Sequence, residues 1–331
     1  MKIKYGKIDR LSIIVIIIVV IGVLSSFFDF GIISVFFSVI MPIVFIVNIV
    51  LAIYGALKKN YFYFIGIVLF FLNYNLFFQF SSNKELEIKD SISIVTYNVR
   101  GFKNHNSINS NQYDYTKIIK FIDSVDADIL LLQESSYKEG KKIEQYPYVF
   151  LGYRENVNKS LLTIYSKYPI INKGYIDFKG TKNNAIYADL KVKQDTLRIY
   201  NCHLQSYVIS PNTLTNKFNH NWNSLNNTIS IQVEQANLIK KHAETFGENT
   251  IICGDFNATP YSQTYKVLKK GLKDSYLSKG SGFGKTYSFH NYPLRLDYFL
   301  YNDQLEVLSQ NNFSLKLSDH EPIYMRFKIK Q

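Results

Sequence analysis

Apolar positions follow two regimes along the chain. Leu11 to Phe28 is apolar apart from Ser and Gly. Gly31 to Leu57 is a second run, interrupted by Ser34, Ser38, Pro42 and Asn48. Tyr61 to Phe80 is a third, rich in Phe and Tyr, with Asn73, Asn75 and Gln79 toward its end. Each is near or above the ~18 residues that cross a bilayer. From residue 91 onward the apolar residues come instead in short runs bounded by polar segments, the pattern of a packed domain. The chain therefore divides into an anchor over 1–82 and a folded domain over 83–331. The anchor is expected to hold three transmembrane helices at about 11–28, 31–57 and 61–80.

A cleaved signal peptide competes for the first run, since Lys2, Lys4, Lys7 and Arg10 precede it. No small-x-small cleavage site follows, and two further apolar runs do, which favours membrane spans. Basic residues set the orientation. The N-terminal four hold that end in the cytoplasm, and Lys58 and Lys59 mark the second loop as inside. The third run then delivers the domain to the exterior, or periplasmic, face of a multi-pass inner-membrane protein. If that run lay only at the interface, the domain would be cytoplasmic. Ser81 to Asp90 is a short charged linker without a Gly/Ser or Pro tract, so the domain sits close to the membrane.

In the domain, Ser91–Val99, Asp128–Glu134, Ser160–Tyr165, Ala185–Val192, Thr196–Cys202, Thr250–Asp255, Leu294–Leu300 and Ile323–Ile329 read as strands. Asp114–Val125 places Ile118, Ile119 and Ile122 at helical spacing. Gln232–Phe246 and Ser262–Lys270 read as helices, the latter stopped by Gly271. Residues 205–230 show no clear period and are expected to be a loop, in which Tyr207 and Trp222 could stack on a base or dip into lipid. Strands alternating with a few helices give an α/β domain. Few connections are long enough for helical crossovers, so the sheets should be partly antiparallel.

Charge adds a hint about partners. Six basic and two acidic residues through Ser82 leave 32 basic and 24 acidic beyond it, of 38 and 26 in all. A domain at +8 suits polyanions or anionic lipid surfaces, although lysine-rich surfaces are often only solubilising. Two cysteines, Cys202 and Cys253, make no disulfide scaffold and read as buried thiols.

Several strands end in polar residues: Asn98, Glu134, His203, Asp255 with Asn257, and Asp319 with His320, while Asp297 lies within an apolar strand. Each has a bland reading: a turn residue, a cap, a satisfied histidine, or, for Asp297, an ion pair with Arg295. Those readings must all be invoked independently, and that weighs against them. The set supplies carboxylates, carboxamides and imidazoles but no serine or cysteine nucleophile. Hard oxygen ligands suit Mg²⁺, Mn²⁺ or Ca²⁺ rather than zinc. Walker and dinucleotide motifs are absent from the sequence. Hard metal plus histidines equips a site for water attack on a phosphate ester.

The ordered motifs are Thr-Tyr-Asn-Val around Asn98, Leu-Gln-Glu ending at Glu134, Cys-His-Leu around His203, Gly-Asp-Phe-Asn at 254–257, Arg-Leu-Asp-Tyr around Asp297 and Ser-Asp-His-Glu-Pro at 318–322. In that order they resemble the endonuclease/exonuclease/phosphatase superfamily, over residues 91–331 and not over the apolar runs. The superfamily includes deoxyribonucleases, abasic-site endonucleases, neutral sphingomyelinases and inositol-polyphosphate 5-phosphatases. The resemblance implies a four-layer α/β sandwich, two mixed sheets flanked by helices. It implies that Glu134 is the main metal ligand, with Asn98 and Asp319 nearby. Asp255 and Asn257 would orient water and phosphate, Asp297 would pair with His320, and His203 would stabilise phosphorane oxygens or assist the leaving group. It leaves open whether Asp255 or His320 is the base. Relatives often carry Thr where this chain has Cys202. The expected activity is metal-dependent phosphodiester hydrolysis, nuclease-like first, with a lipid phosphodiester or an inositol phosphate as alternatives. A catalytically silent membrane-anchored binding module is the rival of another class; the intact constellation argues against it.

Overall fold

The structure is a computed structural model, which describes residues 9–80, 90–102, 115–140, 142–155, 157–207, 218–247, 249–289 and 291–330. Two N-terminal helices, α1 (Arg10–Phe27) and α2 (Ile32–Leu57), are long and apolar enough to cross a membrane. Asp9 caps α1 by accepting from the Ser12 amide at 2.8 Å. The third apolar run departs from the expected helix. It is a single turn at Tyr61–Tyr63, α3 (Phe64–Phe70), another turn at Tyr74–Leu76, and β1 (Gln79–Phe80). Its continuous helical stretch, Tyr61–Phe70, rises only about 15 Å, half of a hydrocarbon core. After Phe70 the backbone tightens into turns, Leu72 N–H donating to Leu69 O and Asn73 N–H to Phe70 O, both at 3.1 Å. Asn73 donates to Ser26 Oγ at 3.0 Å and to Tyr261 OH at 2.9 Å. Even so, this segment runs the length of α1: at its start the Tyr63 hydroxyl donates to Asp9 at 2.9 Å. It also packs tightly, since a Cβ on Gly66 would lie 2.1 Å from Asn48 Oδ1.

The folded domain continues with β2 (Ile92–Asn98), α4 (Tyr115–Val125), β3 (Ile129–Gln133), α5 (Tyr137–Gly140), β4 (Tyr148–Leu151) and β5 (Thr163–Ser166). Then come β6 (Ile170–Asp177), β7 (Asn184–Val192), β8 (Asp195–His203), α6 (Phe218–Glu244), β9 (Asn249–Asp255) and α7 (Gln263–Lys269). The chain closes with β10 (Lys273–Asp274), α8 (Ser275–Lys279), β11 (Ser281–Gly282), β12 (Tyr287–Phe289), β13 (Tyr292–Leu294), β14 (Asp297–Tyr301), β15 (Leu305–Asn312) and β16 (Ile323–Ile329).

These strands form two six-stranded mixed sheets, ordered β15-β16-β2-β3-β5-β4 and β10-β14-β9-β8-β7-β6. Each has one parallel pair, β2–β3 and β8–β9, and antiparallel neighbours elsewhere. Alternation assigns the faces. Ile94, Leu131, Ile199, Ile251 and Phe299 fill the space between the sheets. Val95, Leu130, Ile118 and Ile122 pack α4 on one outer face, and Ile252, Ala236, Ile239 and Leu268 pack α6 and α7 on the other. The order is helix, sheet, sheet, helix, as the resemblance implied. Both cysteines are buried and free.

Residues 205–230 are not a loop throughout. From Phe218 they form the start of α6. Their Ser and Thr side chains satisfy themselves within that helix, Thr228 donating to Ser224 O and Ser230 to Asn226 O, both at 3.0 Å. A polar composition therefore concealed a helix that Ile229 and Thr228 anchor by burial. Residues 208–217 of the expected loop, and 81–89 of the expected linker, lie outside the described residues.

The domain rests directly on the apolar helices. β1 pairs antiparallel with β11. Lys266 donates to Ser25 O at 2.9 Å and Phe28 O at 2.7 Å, capping carbonyls at the end of α1. The Tyr292 hydroxyl donates to Val39 O on α2.

Candidate active site

The same alternation that fills the core also builds the site. Asn98, Gln133, His203 and Asp255 sit two or four residues beyond interior apolar positions of their strands, and Asp297 two residues before Phe299. All therefore face the space between the sheets, at one end of it. Register aligns them: Asn98 lies beside Gln133, and His203, Asp255 and Asp297 are successive cross-strand neighbours. The core thus turns polar at its rim. Beneath the rim, Gln133 donates to Asn201 Oδ1 at 2.6 Å and to Thr96 Oγ1 at 2.8 Å. Asn201 in turn donates to Leu132 O and Thr163 O. This network braces the two sheets where the site begins.

His320 is held between two carboxylates. Its Nδ1 lies 2.8 Å from Asp297 Oδ2, and its Nε2 lies 3.5 Å from Asp255 Oδ2. Burial opposes the imidazolium, but Asp297 and Asp255 outweigh it and raise the pKa to about 10. Asp255 is pushed up to about 6, chiefly by burial, with His320 opposing and Asp297 reinforcing the rise. Its Oδ1 accepts from the Asn257 amide at 2.8 Å and its Oδ2 from Asn98 Nδ2 at 3.0 Å. Asn257 adopts φ of 48° and donates to Leu204 O at 2.9 Å. Gly254 permits the turn before Asp255: at φ 118°, an added Cβ would sit 2.2 Å from Cys202 O.

Glu134 and His203 complete the near side. Glu134 follows β3 with φ of 47°, and its side chain is 40% exposed. Asn98 Nδ2 donates to its Oε1 at 3.2 Å, and His203 Nε2 lies 3.6 Å from the same oxygen. His203 Nδ1 meets Ser160 Oγ at 3.2 Å. Asp319 stands farther out, linked to Arg100 at 3.6 Å and to Ser318. Ser318 also donates to Asn98 O at 2.9 Å, which ties the Asp319 turn to β2.

All eight residues singled out in the sequence therefore gather at one rim, Asp319 at its edge. Arg295, considered as a partner for Asp297, pairs with Asp274 at 2.6 Å instead. The sequence reading missed several supports. Tyr287 packs its ring 4.8 Å from that of His320. Thr286 Oγ1 accepts from the Asp297 amide at 3.1 Å, and Gln232 donates to Asn257 O at 2.9 Å. None of these stands at the end of an apolar run, the signal that found the others.

Among the described residues, Asp255, Asp297 and His320 form the tightest cluster of possible metal ligands. Asp297 and Asp255 favour the charged form of His320, which would repel a cation placed there. The partly exposed Glu134 and, farther out, Asp319 offer hard carboxylate oxygens; Asn98, expected beside them as a ligand, turns its amide nitrogen toward Glu134 while its oxygen accepts from the Arg100 amide.

The family model described as the endonuclease/exonuclease/phosphatase family matches residues 95–320. The chain belongs to this family. Solved structures agree in fold. An endonuclease/exonuclease/phosphatase from Bacteroides vulgatus is 18% identical, with TM-score 0.58, over 73% of this chain and 100% of that one. D. rerio TDP2 complexed with single-strand DNA product is 16% identical, with TM-score 0.56, over 72% of this chain and 100% of its own. The human Nocturnin catalytic domain with bound sulfate is 17% identical, with TM-score 0.55, over 74% and 97%. Among curated protein sequences none matches. Members of this family are phosphodiesterases and phosphatases, and the matched span begins beyond the apolar helices.

Proposed function

We propose that the protein is a membrane-anchored phosphodiesterase that uses a divalent cation, Mg²⁺ or else Mn²⁺ or Ca²⁺, with its catalytic domain outside the cytoplasm. The observation that carries the reading is the aligned row His203, Asp255, Asp297 with His320 bridging its carboxylates, beside Glu134. Environments that drive two neighbouring titratable groups apart assign acid and base roles. Asp255, titrating near 6, takes a proton from water. His320 stays cationic to about 10 and receives the phosphoryl oxygen, with Asp297 fixing its ring. His203 faces the leaving-group side, and Asn257 orients the phosphate. Glu134, Asn98 and Asp319 would hold the metal, which would neutralise phosphoryl oxygens and steady the leaving oxygen.

Nucleic acid is the first substrate to test, in keeping with the basic domain and with the DNA product held by TDP2. A phospholipid phosphodiester is the second reading, supported by the β12–β13 hairpin. That hairpin carries Tyr287 against His320 at one end and Tyr292 against α2 at the other. The full chain in detergent should hydrolyse one of plasmid DNA, RNA, sphingomyelin or inositol phosphates in a metal-dependent manner. Folded, metal-binding protein inactive across that panel would favour a binding module. Cysteine labelling from outside the cell at exposed positions of the domain tests the orientation. Labelling only after lysis would place the domain inside.

A further inference from the structure

The junction between the apolar helices and the domain contains a cleft of about 500 Å³, a volume typical of ligand sites. One wall is built by Phe27, Leu72 and Asn73 of the anchor, the other by Lys266, Lys269 and Lys270 on and just after α7. A second cleft of about 480 Å³ shares Lys266 and Lys270 and adds Lys240 and Lys241. The acids near these lysines are few. Asp29 faces Lys266, and Glu244 lies 4.0 Å from Lys240. Five lysines against two acids leave the junction strongly positive.

The walls are fixed by specific bonds. Lys266 is anchored to the end of α1 by Ser25 O and Phe28 O. Asn73, itself buried, bridges Ser26 and Tyr261. The level of the cleft along the helices is marked by exposed rings: Phe27, Phe28, Phe30, Phe80 and Phe283. Clustered exposed apolar rings of this kind mark surface that another apolar phase covers. Phe27 and Leu72 are each 62% exposed, so the apolar wall continues outward along the helices.

We infer that this cleft binds the phosphate headgroup of an anionic phospholipid through Lys266, Lys269 and Lys270, with acyl chains lying along Phe27 and Leu72. Each lysine held near an anionic membrane surface contributes about 1 kcal/mol of attraction. Burial pushes the Lys266 ammonium down to about 8, with Asp29 opposing, and a bound phosphate would favour its charged form. The inference rests on reading α1 and α2 as membrane spans.

The test uses the purified full chain in detergent, with lipid retention read by native mass spectrometry. Phosphatidylglycerol should be retained at least tenfold more than phosphatidylcholine. Lys269→Gln combined with Lys270→Gln should weaken retention by about 30-fold. Lys328→Gln, at the far Glu306 pair, should leave it unchanged. Equal retention of the two lipids, or no loss in the double variant, would overturn the inference. Glycerol 3-phosphate competing as well as the lipid would also overturn it, in favour of a soluble phosphate ester. Alkaline carbonate extraction separates the two readings. Protein released from membranes defeats the span assignment, whereas integral protein without lipid preference defeats only the lipid site.

Discussion

Replacing Asp297 by Asn should move the alkaline limit of activity rather than only lower the rate. The carboxamide keeps the size of Asp297, and its oxygen can still accept from His320 Nδ1. Only the charge is lost. With an effective dielectric of about 20, unit charges 2.8 Å apart attract by about 6 kcal/mol, and 3.5 Å apart by about 5 kcal/mol. At 1.36 kcal/mol per pH unit, losing the nearer charge lowers the His320 pKa by about four units, from about 10 to about 6. At pH 8 about one molecule in a hundred would then carry the imidazolium, a roughly 100-fold loss of rate. Asp297 also raises Asp255, so the acid limit should move down. The assay is hydrolysis of bis(4-nitrophenyl) phosphate by the full chain from pH 5 to 11 with Mn²⁺ or Mg²⁺. A thermal melt of the variant checks that it is folded. A uniform drop at every pH, with the alkaline limb still near 10, would refute a charge-stabilising role for Asp297.

In the unmodified chain, Asp255 must be ionised and His320 protonated. Turnover should therefore rise through about pH 6 and fall through about pH 10. A profile flat from pH 5 to 8 would remove Asp255 as the base. Glu134→Gln should weaken Mg²⁺ or Mn²⁺ binding at least tenfold by calorimetry and reduce turnover about 100-fold or more. Unchanged metal affinity would move the metal elsewhere. Arg295 and Asp274 are 4% and 1% exposed and 2.6 Å apart. Arg295→Met strands that carboxylate, which should cost about 3–5 kcal/mol and lower the melting temperature by roughly 10 °C. A melt within about 2 °C of the parent would show that Asp274 finds another partner.

Local pattern alone determined much of this protein. Period-two alternation with apolar runs located the main strands, since a residue buried on both faces of a sheet must be apolar. It also located the site, because Asn98, Glu134, His203 and Asp255 stand where such runs end. A polar side chain there lies at the rim of the core. What the sequence left undecided depended on partners distant along the chain. Within the third apolar run the helix ends at Phe70, and Asn73 beyond it bonds Ser26 and Tyr261; no hydropathy pattern records that. The helix beginning at Phe218 was hidden because polar side chains can satisfy themselves on a helix. The cationic state of His320 is likewise tertiary. It arises only when β9 and β14 place Asp255 and Asp297 side by side in register, and Coulomb attraction between residues so far apart in sequence is set by folded distance alone.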